Sequence, residues 1–110
     1  MKDALLHTHL MRSSDGVRLV VEGEIDIAGA EGFREALRHA IDFGGGDVIV
    51  DLAAVTYIDS AGCHCLVSAR EHAVERHVCL RVAPMSLRAE RVFAVTGLTD
   101  YLAGRSQPVS

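Results

Sequence analysis

Residues 47–62 read DVIVDLAAVTYIDSAG, and this stretch decides the fold. Residues 48–50 are all β-branched and contain no polar interruption, which predicts a strand covered on both faces, as in the middle of a sheet. Asp51 ends this buried run, and apolar residues up to Ile58 return the chain to the core. The Asp-Ser-Ala-Gly sequence at 59–62 then predicts a turn that opens a helix.

The turn at the start of this helix has a definite chemistry. The first backbone N–H groups of a helix have no partner within it, so an Asp or Ser side chain commonly caps them. The same end carries the positive pole of the helix dipole, which favours a carboxylate or a phosphate. We interpret Ser60 as the N-cap, with Asp59 supporting the turn or capping beside it. Gly62 is either a tight packing position or a low point where another molecule approaches the backbone.

The chain before this stretch predicts a β-hairpin and an amphipathic helix. Residues 4–11 are a short apolar segment typical of an edge strand, a turn follows at 13–16, and residues 17–23 form the next strand. From Glu31 onward the apolar residues recur with the i, i+3, i+4, i+7, i+8 spacing of a helix that packs on a core. They are Phe33, Ala36, Leu37, Ala40 and Ile41. The glycine run at 44–46 ends this helix; it lacks the Lys of a phosphate-binding loop and precedes a strand.

The chain after the stretch predicts a second helix, a strand and a third helix. Residues 61–76 form the helix that the turn opens. Its inner face holds Gly62, Cys65, Leu66, Ala69 and Ala73, and its outer face holds His64, Ser68, Glu71 and Glu75. A strand follows at 78–82 and is broken by Pro84, after which Ser86 caps a helix through Val95 that Gly97 ends. Strands alternating with helices after a hairpin predict an α/β fold with a mixed sheet.

Composition limits the function. The chain has 110 residues, 49% of them hydrophobic and 24% charged, which is typical of one globular domain. Its formal charge of −4 argues against a nucleic-acid partner. We expect no membrane-spanning segment and no signal peptide. Three cysteines without a disulfide pattern favour a reduced cytoplasm.

Three candidate chemistries are weighed against simpler roles. Cys63 and Cys65 are two apart on a helix and point to nearly opposite sides, so they cannot chelate one metal ion together, and we expect no metal and no cofactor. Cys63, in the first turn of a helix, has the position of a nucleophile but lacks a placed base, so packing is favoured over an enzyme. Asp26, Asp51 and Asp59 near strand ends resemble a magnesium or phosphate cluster, but no Lys follows on a later strand.

Three segments resemble, in order and spacing, the signature of the STAS domain (sulfate transporter and anti-sigma factor antagonist). Residues 51–62 resemble its central segment, with the pattern DLxxVxYIDSxG. The GEID of residues 23–26 resembles the family's Gly-Glu-Leu-Asp, and the VTGL of residues 95–98 resembles its Leu-Thr-Gly-Leu. The resemblance implies a sheet of four to five strands with helices mainly on one face. It implies a STAS domain over residues 1–102 and a flexible tail at 103–110.

The resemblance is strongest to small bacterial anti-sigma factor antagonists, and it implies a binding protein. Such antagonists bind a serine kinase of the GHKL ATPase type, which otherwise sequesters a sigma factor, and so free the sigma factor. The kinase inactivates them by phosphorylating the third residue of Asp-Ser-Ser/Thr-Gly, and a metal-dependent serine phosphatase reverses this. The docking surface implied for this chain consists of Asp26, Asp59, Ser60, Ala61, Gly62 and His64.

This chain departs from the family pattern at two of these positions. Ala61 stands at the phosphorylated position and has no hydroxyl, whereas Ser60 stands at the normally unmodified neighbour. His64 stands where Gly is frequent, so we expect a docking surface with altered specificity. We therefore predict a monomeric or weakly dimeric antagonist without the usual phospho-switch. Two alternatives stay open: phosphorylation of Ser60, or a non-signalling STAS subunit or scaffold of a larger complex, for example in lipid transport.

Overall fold

A four-stranded sheet and three helices make up the fold. The computed structural model describes residues 6–14, 16–43 and 46–98. Its elements are β1 (Leu6–Ser13), β2 (Gly16–Ile25), α1 (Ala30–Asp42), β3 (Asp47–Ile58), α2 (Ser60–Glu75), β4 (Leu80–Met85) and α3 (Leu87–Thr96). The strand order is β1-β2-β3-β4; β1 pairs antiparallel with β2, and the other two pairs are parallel. The predicted α/β class with a mixed sheet is confirmed.

Helices α1 and α2 lie on the same face of the sheet. Each connects two neighbouring parallel strands, and because such crossovers are right-handed, two successive ones in the same direction place both helices on one side. The strand residues that face them are buried. These are Val17, Leu19, Val21, Val48, Val50, Leu52, Leu80 and Val82. None of the three described helices is long and apolar enough to cross a membrane.

The amphipathic faces predicted for α1 and α2 are the faces that the structure buries. Helix α1 buries Phe33, Leu37, Ala40 and Ile41. Helix α2 buries Gly62, Cys65, Leu66, Ala69 and Ala73, together with Cys63 and Arg70. The four residues predicted for the outer face of α2 are all exposed. The helical periodicity of the sequence therefore identified most of the core-facing side chains. Ala36 of the predicted stripe is only half-buried, and buried Arg70 was not predicted.

Two expectations for β3 are wrong. Asp51 does not end the buried run, because Leu52 after it is fully buried. Asp51 lies in mid-strand, in register with Val20 of β2, and accepts a hydrogen bond from Arg18 at 3.1 Å. The strand continues through Asp51 to Ile58 by pairing with β2. Ile49 is only half-buried, because it points away from α1 and α2 on the face that also carries exposed Arg81. The helices therefore cover one face of β3.

Both residues predicted to cap α3 do so, whereas β4 is longer than predicted. The hydroxyl of Ser86 accepts a hydrogen bond from Ala89 N at 3.1 Å and caps α3. Gly97 ends that helix with a φ of 77°. Strand β4 continues past the predicted break at Pro84 to Met85. The predicted tail at 103–110 lies outside the described residues.

Gly62 sets how closely α2 packs on the sheet. It is buried, and a Cβ at this position would lie 2.7 Å from Ile25 Cγ2 and 2.8 Å from Ile58 Cγ1. Both isoleucines are buried at strand ends and are stiff about χ1, so neither moves aside easily. Gly62 is therefore a packing position, and the expectation that it forms a low point open to another molecule is wrong.

Replacing Gly62 by alanine should strain this contact. We expect Gly62→Ala to lower the free energy of unfolding by about 1–3 kcal/mol because it overpacks a filled site. Gly32→Ala is the matched control, since Gly32 is exposed on α1 and a Cβ there meets nothing within 4 Å. The control should raise the free energy of unfolding by up to about 1 kcal/mol through helix propensity. Urea unfolding followed by circular dichroism measures both, and equal effects would contradict the packing role.

An ion-pair cluster joins the C-terminal ends of α1 and α2. His72 Nε2 lies 2.9 Å from Asp42 Oδ1, and Arg76 Nε lies 3.5 Å from the same oxygen. Because a carboxylate only accepts, the His72 ring N–H donates this hydrogen bond. That bond, aided by the charge of Arg76, holds the pKa of Asp42 below its ordinary value against the opposing effect of burial. The ionised form of Asp42 therefore ties the two helices together.

Removing the Asp42 charge should destabilise the protein in a pH-dependent way. The folded-state pKa of Asp42 is depressed, so its contribution is present above the unfolded-state pKa and is lost as the pH falls through the folded-state pKa. We expect Asp42→Asn to unfold at lower urea than wild type at neutral pH and the two proteins to converge in acid. Glu75→Gln, an exposed change on α2, is the control. A difference for Asp42→Asn that persisted unchanged into acid would refute the assignment.

Candidate partner-docking site

The carboxyl ends of β2 and β3 bring two distant sequence segments together. The parallel register pairs Ile25 with Ile58, and the Asp59 N–H then donates to Ile25 O at 3.2 Å. The chain leaves each strand at the same edge of the sheet and enters a helix, which is where α/β folds commonly place their sites. The GEID and DSAG segments that carry the family resemblance are therefore neighbours in space.

Asp59, and not Ser60, caps α2. Asp59 has an extended backbone, with φ −117° and ψ −169°, and its Oδ1 accepts from Ala61 N at 2.9 Å and Gly62 N at 3.3 Å. A cap residue has this extended conformation, whereas Ser60 already belongs to the helix. The interpretation of Ser60 as the N-cap is therefore wrong. Its hydroxyl is exposed and makes no hydrogen bond within the described ranges.

Asp26 shapes the turn from β2 into α1. Its Oδ1 accepts from Gly29 N at 3.0 Å, and its carbonyl accepts from the same N–H. The N-cap of α1 is Gly29, which has no side chain to cap the helix, so the Asp26 carboxylate organises this segment instead. The turn projects Ile27, whose side chain is 80% exposed.

Asp51, the third acidic residue considered for a cluster, lies elsewhere. It is seven residues before the end of β3, on the face away from α1 and α2, and is paired with Arg18. Asp26 and Asp59 each accept backbone hydrogen bonds of their own turns. Among the described residues, no group of three or more His, Cys, Asp or Glu side chains is placed to hold a metal ion.

An open cleft of about 510 Å³ lies between the starts of α1 and α2. Its lining comes from the turn after β2 and from the first two turns of both helices. The lining residues are Ile27, Ala30, Glu31, Arg34, Ser60, Ala61, His64 and Cys65. Three predicted site residues, Ser60, Ala61 and His64, thus face one cleft, while Asp26 and Asp59 hold the turns on either side of it.

Five of the eight lining residues were not predicted as site residues: Ile27, Ala30, Glu31, Arg34 and Cys65. Ile27 directly follows the GEID segment, and the sequence around it, Asp-Ile-Ala-Gly, does not show that its side chain is exposed. Glu31 and Arg34 form an exposed pair on α1, with 3.6 Å between Arg34 Nη2 and Glu31 Oε1. The cleft therefore combines one exposed apolar contact with charges of both signs.

The cysteines beside the cleft are packed groups. Cys65 Sγ donates to Ala30 O at 3.5 Å, joining α2 to α1, and burial raises the pKa of its thiol. Burial, with the nearby Asp59 carboxylate, also raises the pKa of Cys63. A raised pKa disfavours the thiolate, which is the nucleophilic form. Neither thiol therefore has the environment of a reactive nucleophile.

Comparisons with known proteins agree on the family and the fold. A family model described as "Mlab, STAS domain" matches residues 8–104. The anti-sigma-B factor antagonist of Listeria monocytogenes is 34% identical over 91 residues, which cover 83% of this chain and 80% of the relative. The anti-sigma-B factor antagonist of Bacillus subtilis is 27% identical over 97 residues, with 88% of each chain covered.

Solved structures show the same architecture. The crystal structure of an anti-sigma factor antagonist from Mycobacterium paratuberculosis superposes with a TM-score of 0.79 at 22% identity, covering 88% of this chain and 82% of that one. Phosphorylated SpoIIAA, a Bacillus cell fate determinant, gives a TM-score of 0.65 at 21% identity, with 86% and 87% covered. The match over residues 8–104, together with these folds, shows that the chain belongs to the STAS domain family.

Proposed function

We propose that this protein is an anti-sigma factor antagonist that docks an anti-sigma factor of the GHKL serine-kinase type at the cleft between α1 and α2, and so frees a sigma factor. The names of its relatives support the anti-sigma factor as partner. The observation that carries the proposed surface is Ile27, 80% exposed, which lines the same cleft as exposed Ser60 at the start of α2. The proposed role is binding, without a cofactor and without turnover.

The surface has the composition of a small interface. Ile27 supplies apolar area, Ser60 and His64 supply hydrogen-bonding groups, and Arg34 supplies a planar donor. Asp59 and Asp26 are engaged with their own turns, so they act by holding the surface in shape. His64 is exposed in the second turn of α2 and stands where the family frequently has Gly, so it sets which partner fits.

Ala61 removes the usual means of inactivation. In the family pattern the kinase phosphorylates the residue at this position, and a phosphate adds about −1.5 to −2 charge, which disrupts an interface that holds acidic groups. Glu31, on the opposite side of the cleft, is such a group. With a methyl group at 61, the proposed antagonist stays competent to bind, and a serine phosphatase has no phosphate to remove.

Loss of the exposed isoleucine should weaken docking. Burying an isoleucine at an interface contributes about 1.5–3 kcal/mol, so Ile27→Ser should weaken the complex with an anti-sigma factor by about tenfold or more. Val95→Ser is the matched control, because Val95 is 87% exposed but lies on α3. Isothermal titration calorimetry with the purified anti-sigma factor measures both. Unchanged affinity for Ile27→Ser would remove the cleft from the proposal.

The phosphorylation pattern tests the assignment of position 61. After incubation with the kinase and ATP, we expect the intact mass of the wild type to be unchanged and that of Ala61→Ser to rise by one phosphate group. Because the Ser60 hydroxyl is exposed, Ala61→Ser is repeated together with Ser60→Ala, and the phosphate should remain. Phosphate on wild-type Ser60 would show that this protein does carry a switch, at the neighbouring residue.

The binding experiment also separates the alternative role. A STAS subunit of a larger complex, such as a lipid-transport assembly, would not bind an anti-sigma factor and would bind a transporter component instead. If calorimetry detects no heat of binding to an anti-sigma factor but does detect binding to a transporter component, that alternative is favoured. The same Ile27→Ser and Val95→Ser pair then shows whether the cleft is used.

A further inference from the structure

The outer edge of β1 has no partner strand among the described residues. β1 lies at the end of the sheet and pairs only with β2 within the described part of the chain, over eight consecutive residue pairs without a bulge. It contains no Pro and no Lys, two devices that commonly protect strand edges. The other edge is different: β4 has six residues and includes Pro84, and α3 packs beside β3. The β1 edge is therefore available to pair with another strand.

A groove runs beside this edge, between β1 and α1. It has a volume of about 510 Å³. Its lining residues are Thr8, Leu10, Leu19, Gly32, Glu35, Ala36 and His39. A strand added to β1 would place alternate side chains in this groove. Gly32 keeps one wall low, because no heavy atom lies within 4 Å of where its Cβ would be.

Helix α1 runs alongside β1 in the same direction. Leu6, at the start of β1, lies near Gly29, with 3.5 Å from Leu6 Cδ2 to the position of a Cβ there. Arg12, near the end of β1, lies over the ring of Phe43 after α1, at 4.9 Å from the ring centroid. Glu35 and His39 therefore stand one after the other along the groove. The polar and apolar groups therefore follow a fixed order along the groove from the start of β1 to its end.

We propose that two copies of this chain associate through antiparallel pairing of their β1 strands, about a two-fold axis perpendicular to the sheet at His9. This pairing keeps the helices of both copies on one side and joins the two sheets into one. It sets Thr8 of each copy opposite Leu10 of the other. Since the helices are then antiparallel, Glu35 of each copy comes level with His39 of the other, which gives two complementary polar contacts.

The same pairing covers the exposed apolar ends. It sets Leu6 of each copy opposite Arg12 of the other, beside Phe43. The Phe43 side chain is 41% exposed and Leu6 is only half-buried, so both gain apolar contact in the dimer. None of the cleft residues belongs to this seam. The proposed dimer and the proposed docking function therefore use different surfaces, and an experiment can contradict one without contradicting the other.

Sedimentation velocity over a concentration series tests association. We expect a monomer–dimer equilibrium that Thr8→Lys weakens by about tenfold or more, because a charged edge strand resists pairing. Ser68→Lys, an exposed change on α2, is the control and should leave the equilibrium unchanged. Glu35→Lys alone should weaken the dimer, and adding His39→Glu should restore it. A monomer at every concentration, or a dimer indifferent to Thr8→Lys, would overturn the proposal.

Cross-linking tests the register. Opposite residues on paired strands have Cβ atoms about 4.5–5.5 Å apart, close to disulfide geometry. In a Cys79→Ser background, which removes the exposed native thiol, His9→Cys should form a covalent dimer under mild oxidation. His7→Cys is the matched control, since the proposed register sets His7 opposite Met11. Cross-linking through His7→Cys but not His9→Cys would overturn the register.

Discussion

The parallel pairing of β2 with β3 is the constraint on which the rest of this structure depends. It runs from Gly16 opposite Asp47 to Ile25 opposite Ile58, so both strands end at the same edge of the sheet. The Asp59 N–H then extends the contact by donating to Ile25 O. Segments more than thirty residues apart in sequence thus meet, and the two helices that begin there define a cleft between them.

Packing and the proposed recognition involve different residues at the start of α2. Asp59 satisfies two backbone N–H groups of the first turn, and Gly62 lets that turn rest on Ile25 and Ile58. These roles leave the side chains of Ser60 and His64 facing the cleft. The order of residue types along one helical turn therefore decides both how the helix is capped and packed and which side chains line the cleft.

Much of the fold could be predicted because it rests on local periodicity. The apolar stripe of α1 and the inner face of α2 follow from helical spacing, and Ser86 and Gly97 carry their cap signals in their residue types. The continuation of β3 through Asp51 could not be predicted, because it follows from pairing with β2, which is distant in sequence. Asp59 and Ser60 are both common capping residues, so the sequence does not say which of them caps α2. The backbone torsions decide it, and they are known only from the structure.

The cleft was harder to predict than the turn that forms one of its walls. Ser60, Ala61 and His64 lie in a recognisable segment, whereas Ile27, Glu31 and Arg34 become part of the site only because α1 packs against α2. A surface built by two helices has no single sequence pattern, and exposure of an isoleucine depends on a turn held by Asp26. The cleft residues on α1 and in the turn before it can therefore be identified only from the three-dimensional structure.

In the proposed function, recognition and inactivation by phosphorylation depend on different residues of this helix. The start of α2 is held by Asp59 and by the contact at Gly62, and neither involves a side-chain hydroxyl at position 61. Alanine is the strongest helix former, so Ala61 keeps the turn intact while it removes the acceptor of a phosphoryl group. In the proposed function, control then passes from a covalent mark to mass action: the free sigma factor follows the concentrations of antagonist and kinase.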